Sequence, residues 1–447
     1  MARMSLARPA VDQASPAGVR STLSTSVGVG TLAVLGVATG LVAAIEPGFA
    51  LPLALVVLLV AVAAIDLSLI PVLAVPASMM VTRVGPMSIA DFALGGATIV
   101  ALLMLRGRGA VTMQPLLWAG TCYIALSAPQ LLLNRYASNA VEWAHELVLV
   151  LGSLVVGFVV GRQGHARLAL TIYVAICGGL ALAAIATSFA NGFGPVYLGG
   201  LHKNALGAIL MIGAIIGFAN PPWLRWHPAI GYAIFALCGL GAFAAQSRQA
   251  MIGALVGALI VGLRPRFHSG KRSRLMWAVL IPVAYFVYTE VVSQLESDNQ
   301  FNSANQRLDW YDDSIDVWLM SPIFGVGHRW WVTGHTGYSG FQPPNVLLEV
   351  MTTVGIVGLV GFLVMFGAAF WILARMNPVY GTLALAVVAG RFAQAQLDIY
   401  WVAGHASILW IVAGICYGVQ ARDEARGVKW DPHPVQTIFR RTRGVRL

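Results

Sequence analysis

Long runs of apolar residues, each close to the length that crosses a bilayer, constrain this chain more than any other feature. A helix needs about 20 residues, within a range of roughly 17 to 25, to span the hydrocarbon. Candidate runs lie at 27–45, 49–65, 67–82, 90–105, 115–133, 144–161, 168–190, 204–219, 229–245, 250–263, 275–292, 346–374, 379–395 and 405–419. Those beginning at 67, 90, 204, 250 and 405 are short, so some are expected to be re-entrant or half-membrane segments. Hydrophobic residues make up 58% of the chain and charged residues 10%, whereas a soluble domain carries about 25% charged residues. That contrast excludes cytosolic enzymes, secreted domains and disordered proteins. The predicted fold is all-α: a polytopic helical membrane protein with 12 to 14 transmembrane helices and one long outer loop containing an amphipathic helix.

The net charge of +10 would raise the question of nucleic acid in a soluble protein, but here it reports topology. Placing the amino terminus in the cytoplasm puts 21 of the 28 Lys and Arg residues inside, as the positive-inside bias requires, with both termini cytoplasmic. The first 26 residues lack the small-residue cleavage site of a signal peptide. The expected organisation is a cytoplasmic tail (1–26), helices 1–11 (27–292), an extracytoplasmic loop (293–345), helices 12–14 (346–419) and a basic cytoplasmic tail (420–447). Cys122, Cys177, Cys238 and Cys416 fall far apart in apolar runs without CxxC spacing, which reads as core packing rather than disulfide or metal chemistry. Seven cations face outward against the bias: Arg83, Arg135, Lys203, Arg248, Arg307, Arg329 and Arg391. Each alone is explained by snorkelling, pairing or solvation, but several converging on one cavity would make an anion site, because Arg holds phosphate oxygens in bidentate fashion.

Outer loops are short except residues 293–345. A long loop in a compact architecture usually has a function. Its first half places Leu308, Tyr311, Ile315, Trp318 and Leu319 at helical spacing before Ser321-Pro322, which predicts an amphipathic helix with Asp309, Asp312, Asp313 and Asp316 towards water. Its second half is rich in Gly and aromatics and is expected to be an ordered loop, in which Trp330 and Trp331 either stack on sugar rings or anchor the loop in the interface.

Four stretches in this setting resemble the O-antigen ligase and O-antigen polymerase superfamily of bacterial envelope glycosyltransferases. They are His202-Lys203-Asn204; Ser247-Arg248; Arg307-Leu308-Asp309-Trp310 leading into Ser321-Pro322-Ile323-Phe324-Gly325-Val326-Gly327; and Asn345-Val346-Leu347-Leu348-Glu349 running into Val354-Gly355-Ile356-Val357-Gly358-Leu359. The resemblance covers roughly residues 200 to 375. It implies a polyprenyl-pyrophosphate-linked glycan as donor, a glycan or lipid-glycan acceptor, transfer with inversion in the bacterial cytoplasmic membrane, and no cofactor or metal. It also implies that Arg248 and Arg307 bind the pyrophosphate.

The family's proposed base is a histidine where this chain has Pro344. Proline cannot accept a proton, so another group must serve. His335 is favoured, because Gly334 and Gly337 flank it and let the loop fold back; His328 and Glu349 are further candidates, with His405 and Asp398 behind them. The expected catalytic set is therefore His335, Arg248 and Arg307, with Lys203, Asn204, His328, Asn345, Glu349, Arg391 and Asp398 binding substrate; Asp398 has an alternative reading as a partner for Arg391, and Asn204 as a helix cap. Two other functions stay open. A lipid-linked oligosaccharide flippase would spread its charges within spans of both halves, and a catalytically inactive relative would bind the glycan lipid without transfer.

Overall fold

The computed structural model describes residues 66–84, 87–105, 108–264, 303–334, 342–428 and 430, with isolated helical positions at 281, 285 and 289. The expected spans at 27–45 and 49–65, the amino-terminal tail, the tail beyond 430, and most of 275–292 lie outside the described residues. The chain separates into two units, Met1–Ile70 and Pro71–Leu447, and the second carries everything below.

The regular elements of the described residues are helices, apart from a short hairpin of β1 (Arg83–Val84) with β2 (Met87–Ser88) and an isolated bridge between Leu198 and Leu201. The helices are α1 (Leu69–Ala77), α2 (Ile89–Met104), α3 (Gln114–Ser127), α4 (Ala137–Leu147), α5 (Ser153–Gln163), α6 (Ala166–Ala190), α7 (Lys203–Ala219), α8 (Pro228–Ala244), α9 (Arg248–Leu263), α10 (Ser303–Met320), α11 (Val346–Arg375), α12 (Pro378–Ala395) and α13 (Ala403–Ala425). Among the described residues, five continuous helical segments are long and apolar enough to cross a membrane: Val111–Leu133, Ala137–Gln163, Ala166–Ala190, Val346–Arg375 and Gly404–Ala425. Shorter apolar helices, among them α2, α7, α8 and α9, pack beside them. The run expected at 67–82 departs from this pattern. Its helix stops at Ala77, and the chain turns into the hairpin, whose Ser88 exchanges bonds with Asp91 as a capping box for α2.

Packing follows small residues. Gly157 and Gly161 on α5 lie against the backbone of α13 at Ile411 and Ile415, while Gly414 and Gly418 on α13 lie against α5 at Leu154 and Phe158. These two four-residue spacings let the helix backbones touch, the packing mode that works in lipid, where apolar side chains gain nothing by leaving a neighbouring acyl chain. On the opposite side, α7 packs on α8 and α9, and α9 packs on α12. At its far end α11 is capped by Arg264, whose guanidinium donates to the carbonyls of Leu373 (3.0 Å), Ala374 (2.6 Å) and Met376 (3.0 Å). A cation there answers both the unpaired carbonyls and the negative end of the helix dipole.

The decisive local feature is a break in α11. Gly355 has φ 66° and ψ −170°, a conformation essentially confined to glycine. The break interrupts the helical ladder, and the loop after α10 supplies the missing partners. Val326 N–H donates to Thr352 O (2.9 Å) and Gly327 N–H to Thr353 O (2.8 Å), while Ile356 and Val357 donate to the carbonyls of Pro322 (3.0 Å) and Ile323 (3.2 Å). Gly325 lies on the Thr353 carbonyl and Gly355 on that of Ile323, so neither position has room for a Cβ. Non-helical backbone at membrane depth persists only when its polar groups are satisfied inside the protein.

The helix predicted from the loop's first half exists as α10, with Asp309, Asp312 and Asp316 exposed as expected. Its buried face differs from the expected one. Ser314 and Val317 are buried, Val317 packing with Val326 and Trp331, whereas Ile315 and Leu319 are exposed. The spacing of the apolar residues identifies the helix, but the Ser321–Gly327 loop determines which face it covers.

Candidate functional site

The N-termini of α7, α9 and α11 meet near the end of α12. His202 caps α7, its Nδ1 accepting from the Asn204 backbone at 3.3 Å, which corrects the reading of Asn204 as the cap. The Asn204 amide instead reaches Asp398 Oδ1 at 3.4 Å, and Gln249, beside Arg248 at the start of α9, reaches Asp398 Oδ2 at 3.5 Å. Asp398 therefore ties the two helix starts together. Asn345 caps α11, its Oδ1 accepting from the backbones of Leu347 (2.9 Å) and Leu348 (3.1 Å), and its side-chain amide donates to Gln396 O at 3.1 Å. Glu349, one turn on, accepts from Gln342 at 3.1 Å with one carboxylate oxygen; the other is buried.

Asp398 acts on Arg391 through its charge, while its hydrogen bonds go to Asn204 and Gln249. Arg391, 1% exposed, spends its guanidinium on the loop before α13, donating to the carbonyls of His405 (3.0 Å), Ile399 (3.3 Å) and Tyr400 (3.3 Å) and to the Gln394 side chain (3.0 Å). It sets the shape of the 398–402 loop on which Asp398 sits. His405 Nε2 is buried with no hydrogen-bond partner among the described residues.

An apolar groove of about 570 Å³ opens beside Arg248. It is lined by Ile185, Phe189 and Phe193 at the end of α6, by Leu240 and Phe243 at the end of α8, and by Met251. A cation at one edge and aromatic and aliphatic walls behind it match a ligand with an anionic head and a hydrocarbon tail.

A second assembly lies where the sequence reading had none. Asp91 lies on α2, and Glu142, His145 and Glu146 lie on α4. His145 lies between two carboxylates, Nε2 at 2.8 Å from Asp91 and Nδ1 at 3.0 Å from Glu142. Arg329 reaches Glu142 at 3.2 Å, and His328 Nδ1 lies 3.1 Å from Glu146, whose other oxygen accepts from the Tyr123 hydroxyl at 2.6 Å. His328 is 2% exposed, and its backbone N–H donates to Asn139 at 2.7 Å. Burial alone would push the His328 imidazole down, but Glu146 and then Glu142 hold it above its ordinary value. Trp331, one of the two candidates for sugar stacking, is buried and donates to Thr352 at 3.2 Å. The signal for this assembly was Glu142-x-x-His145-Glu146, spaced to share one helical face inside a span, followed at once by a π-helical turn at Val148–Gly152. Ionisable residues within spans are costly and usually have a role.

Of the expected catalytic set, Arg248 stands at the groove; Arg307 lies on the backbone of α10; and His335 lies outside the described residues. Lys203, Asn204, Asn345, Glu349 and Asp398 belong to the meeting helix ends, while His328 and Arg391 are enclosed beneath them. Among the described residues no group of His, Cys, Asp and Glu has the arrangement of a metal site.

One comparison bears on what such a site handles. Residues 233–363 match the O-antigen ligase family model (Wzy_C). The matched segment runs from α8 through the broken helix α11, and so includes Arg248, the α10 helix and the Ser321–Gly327 joint. A comparison with curated proteins gave no match.

Proposed function

We propose that the chain transfers or polymerises a polyprenyl-pyrophosphate-linked glycan on the outer face of the bacterial cytoplasmic membrane, for assembly of envelope polysaccharide. The observation that carries this reading is the apolar groove with Arg248 at its edge, beside helix N-termini tied through Asp398. Three helix starts direct their positive dipole ends to one place, which favours an anion. The O-antigen ligase match over residues 233–363 supports the same chemistry.

In the proposed reaction the groove holds the first part of the polyprenyl chain, and Arg248, with Arg307 and Lys203, binds the pyrophosphate. An acceptor hydroxyl attacks the anomeric carbon as the bond from that carbon to the phosphate oxygen breaks. Fixed cations stabilise the charge that develops on the leaving pyrophosphate. The hydroxyl proton passes to a base, for which His335 is proposed. A positioned base contributes typically ~10² to 10⁴ in rate. Asn345, Asp398 and Arg391 hold the frame on which donor and acceptor meet. Both termini are proposed to be cytoplasmic, with 293–345 outside.

The experiment is reconstitution of the full chain in proteoliposomes with a polyprenyl-pyrophosphate glycan and an acceptor. Release of polyprenyl pyrophosphate together with an extended glycan is expected, and Arg248→Lys is expected to slow it, because a point charge does not reproduce a bidentate fork. Movement of the intact lipid between leaflets without release would favour the flippase, and binding without either would favour an inactive relative.

A further inference from the structure

A second cavity, of about 220 Å³, lies at the opposite ends of the same helices. The α6 helix connects the two regions, with Arg167 lining this cavity and Ser188 the apolar groove. Twenty-one residues of helix at 1.5 Å each put them roughly 30 Å apart, about the thickness of the hydrocarbon. Four arginines line it, Arg167, Arg225, Arg422 and Arg426, together with Trp223 and Trp430.

The arginines are drawn from three separate chain connections, so the cluster is not the accident of one basic stretch. Arg225 projects from a left-handed residue, φ 55°, between α7 and α8, a conformation uncommon outside glycine. Arg167 belongs to the first turn of α6, and Arg422 and Arg426 to the end of α13. Only Arg422 is matched by a carboxylate among the described residues, through Asp423 at 2.9 Å. Asp423 also accepts from Trp430 Nε1 at 2.8 Å and from the Tyr380 hydroxyl at 3.1 Å, which leaves it fully engaged. The Trp223 indole is fixed by a 3.1 Å bond to Val379 O. Three exposed guanidinium groups thus surround a small cavity with no carboxylate partner among the described residues.

We propose that this cavity binds a phosphate group, and that its source is an anionic phospholipid headgroup of the inner leaflet. Arginine forks suit phosphate oxygens, and basic pockets between helices on the cytoplasmic side are the setting in which anionic headgroups bind. Indoles favour the headgroup level of a bilayer, which suits a lipid over a soluble phosphate. The charge bias assigns this end to the cytoplasm. The inference stands apart from the proposed transfer reaction, since it uses none of those residues.

The test compares the delipidated full chain in nanodiscs of phosphatidylcholine alone and with added phosphatidylglycerol, reading thermal unfolding and the lipid retained in native mass spectrometry. Wild type is expected to unfold at higher temperature and to retain phosphatidylglycerol in the mixed discs. Arg225→Gln with Arg426→Gln should lower that retention on the order of tenfold, and Arg225→Lys with Arg426→Lys should recover part of it. Stabilisation by inorganic phosphate at fixed ionic strength, together with displacement of the lipid, would uphold the phosphate site and assign it to a soluble ligand. Equal unfolding and equal retention of both lipids by wild type, with no response to phosphate, would overturn the proposal without relying on any variant.

Discussion

Replacing Gly355 by alanine tests whether the joint between α11 and the Ser321–Gly327 loop holds this end of the bundle together. A side chain at φ 66°, ψ −170° costs about 1–3 kcal/mol in backbone strain alone. The new Cβ would also meet the Ile323 carbonyl, which is backbone and cannot swing aside. Moving it disturbs four interchain-segment hydrogen bonds of 2.8 to 3.2 Å. Losing two of them, at about 1 kcal/mol net each, brings the expected cost to roughly 3–5 kcal/mol. Thermal unfolding of purified protein should show a fall in Tm of at least about 5 °C. Gly367→Ala in the same helix is the control. Nothing lies within 4 Å of the Cβ it would add, so it should be neutral or slightly stabilising. A Gly355→Ala protein that unfolds like the control would refute the joint.

Asn345→Ala removes the α11 cap and its bond to Gln396, and should lower stability by about 1 kcal/mol in the same melt. Asp398→Ala frees both Asn204 and Gln249, so donor binding in a filter assay should weaken more than it does for Lys203→Ala alone, which leaves that tie intact. The His328–Glu146 pair raises the imidazole above its ordinary 6.5, so its contribution to stability is complete below that pH and is lost as pH climbs through the folded value. Melts taken upward from pH 6.5 should therefore show a decline that His328→Gln flattens. Cysteine introduced at Ser339, in a background without native cysteines, should react with an impermeant reagent from outside, and one at Ser269 should not.

The helical segments were legible because apolar length survives without any knowledge of neighbours. The runs at 168–190, 204–219 and 346–374 correspond to α6, α7 and α11 within a residue or two. The run at 144–161 began too late. The true helix starts at Ala137, because Glu142, His145 and Glu146 look like the polar edge of a span until Asp91, Arg329 and His328 arrive from distant parts of the sequence to pair with them. Charge balance of that kind is a tertiary fact. The same is true of Trp331, whose indole reads as a sugar-stacking surface or an interface anchor but finds Thr352 inside the fold. The meeting of Lys203, Arg248 and Asn345 was better signalled, since each opens a helix and helix starts on one side of a membrane share one layer.

The position of the buried charges also bears on which kind of protein this is. A transporter that alternates its access must let its halves rock, and the groups that line its path must exchange partners as it does so. Here the loop after α10 is fastened on two sides. Backbone bonds tie it to the break in α11, and Tyr136, whose hydroxyl lies 3.1 Å from Val326 O and 2.9 Å from His328 O, ties it to the start of α4. Asn134 adds a bond to Gly325 O at 3.1 Å, and Arg329 and His328 then anchor it to Glu142 and Glu146. Opening a passage between α4 and α11 would break these contacts together and take their cationic partners Arg329 and His328 away from Glu142 and Glu146 in a region of low polarity. Removing one partner of a buried ion pair typically costs about 3–5 kcal/mol. That price argues for a fixed frame at this end of the bundle, which suits a reaction needing donor phosphate, acceptor hydroxyl and base held within reach of one another.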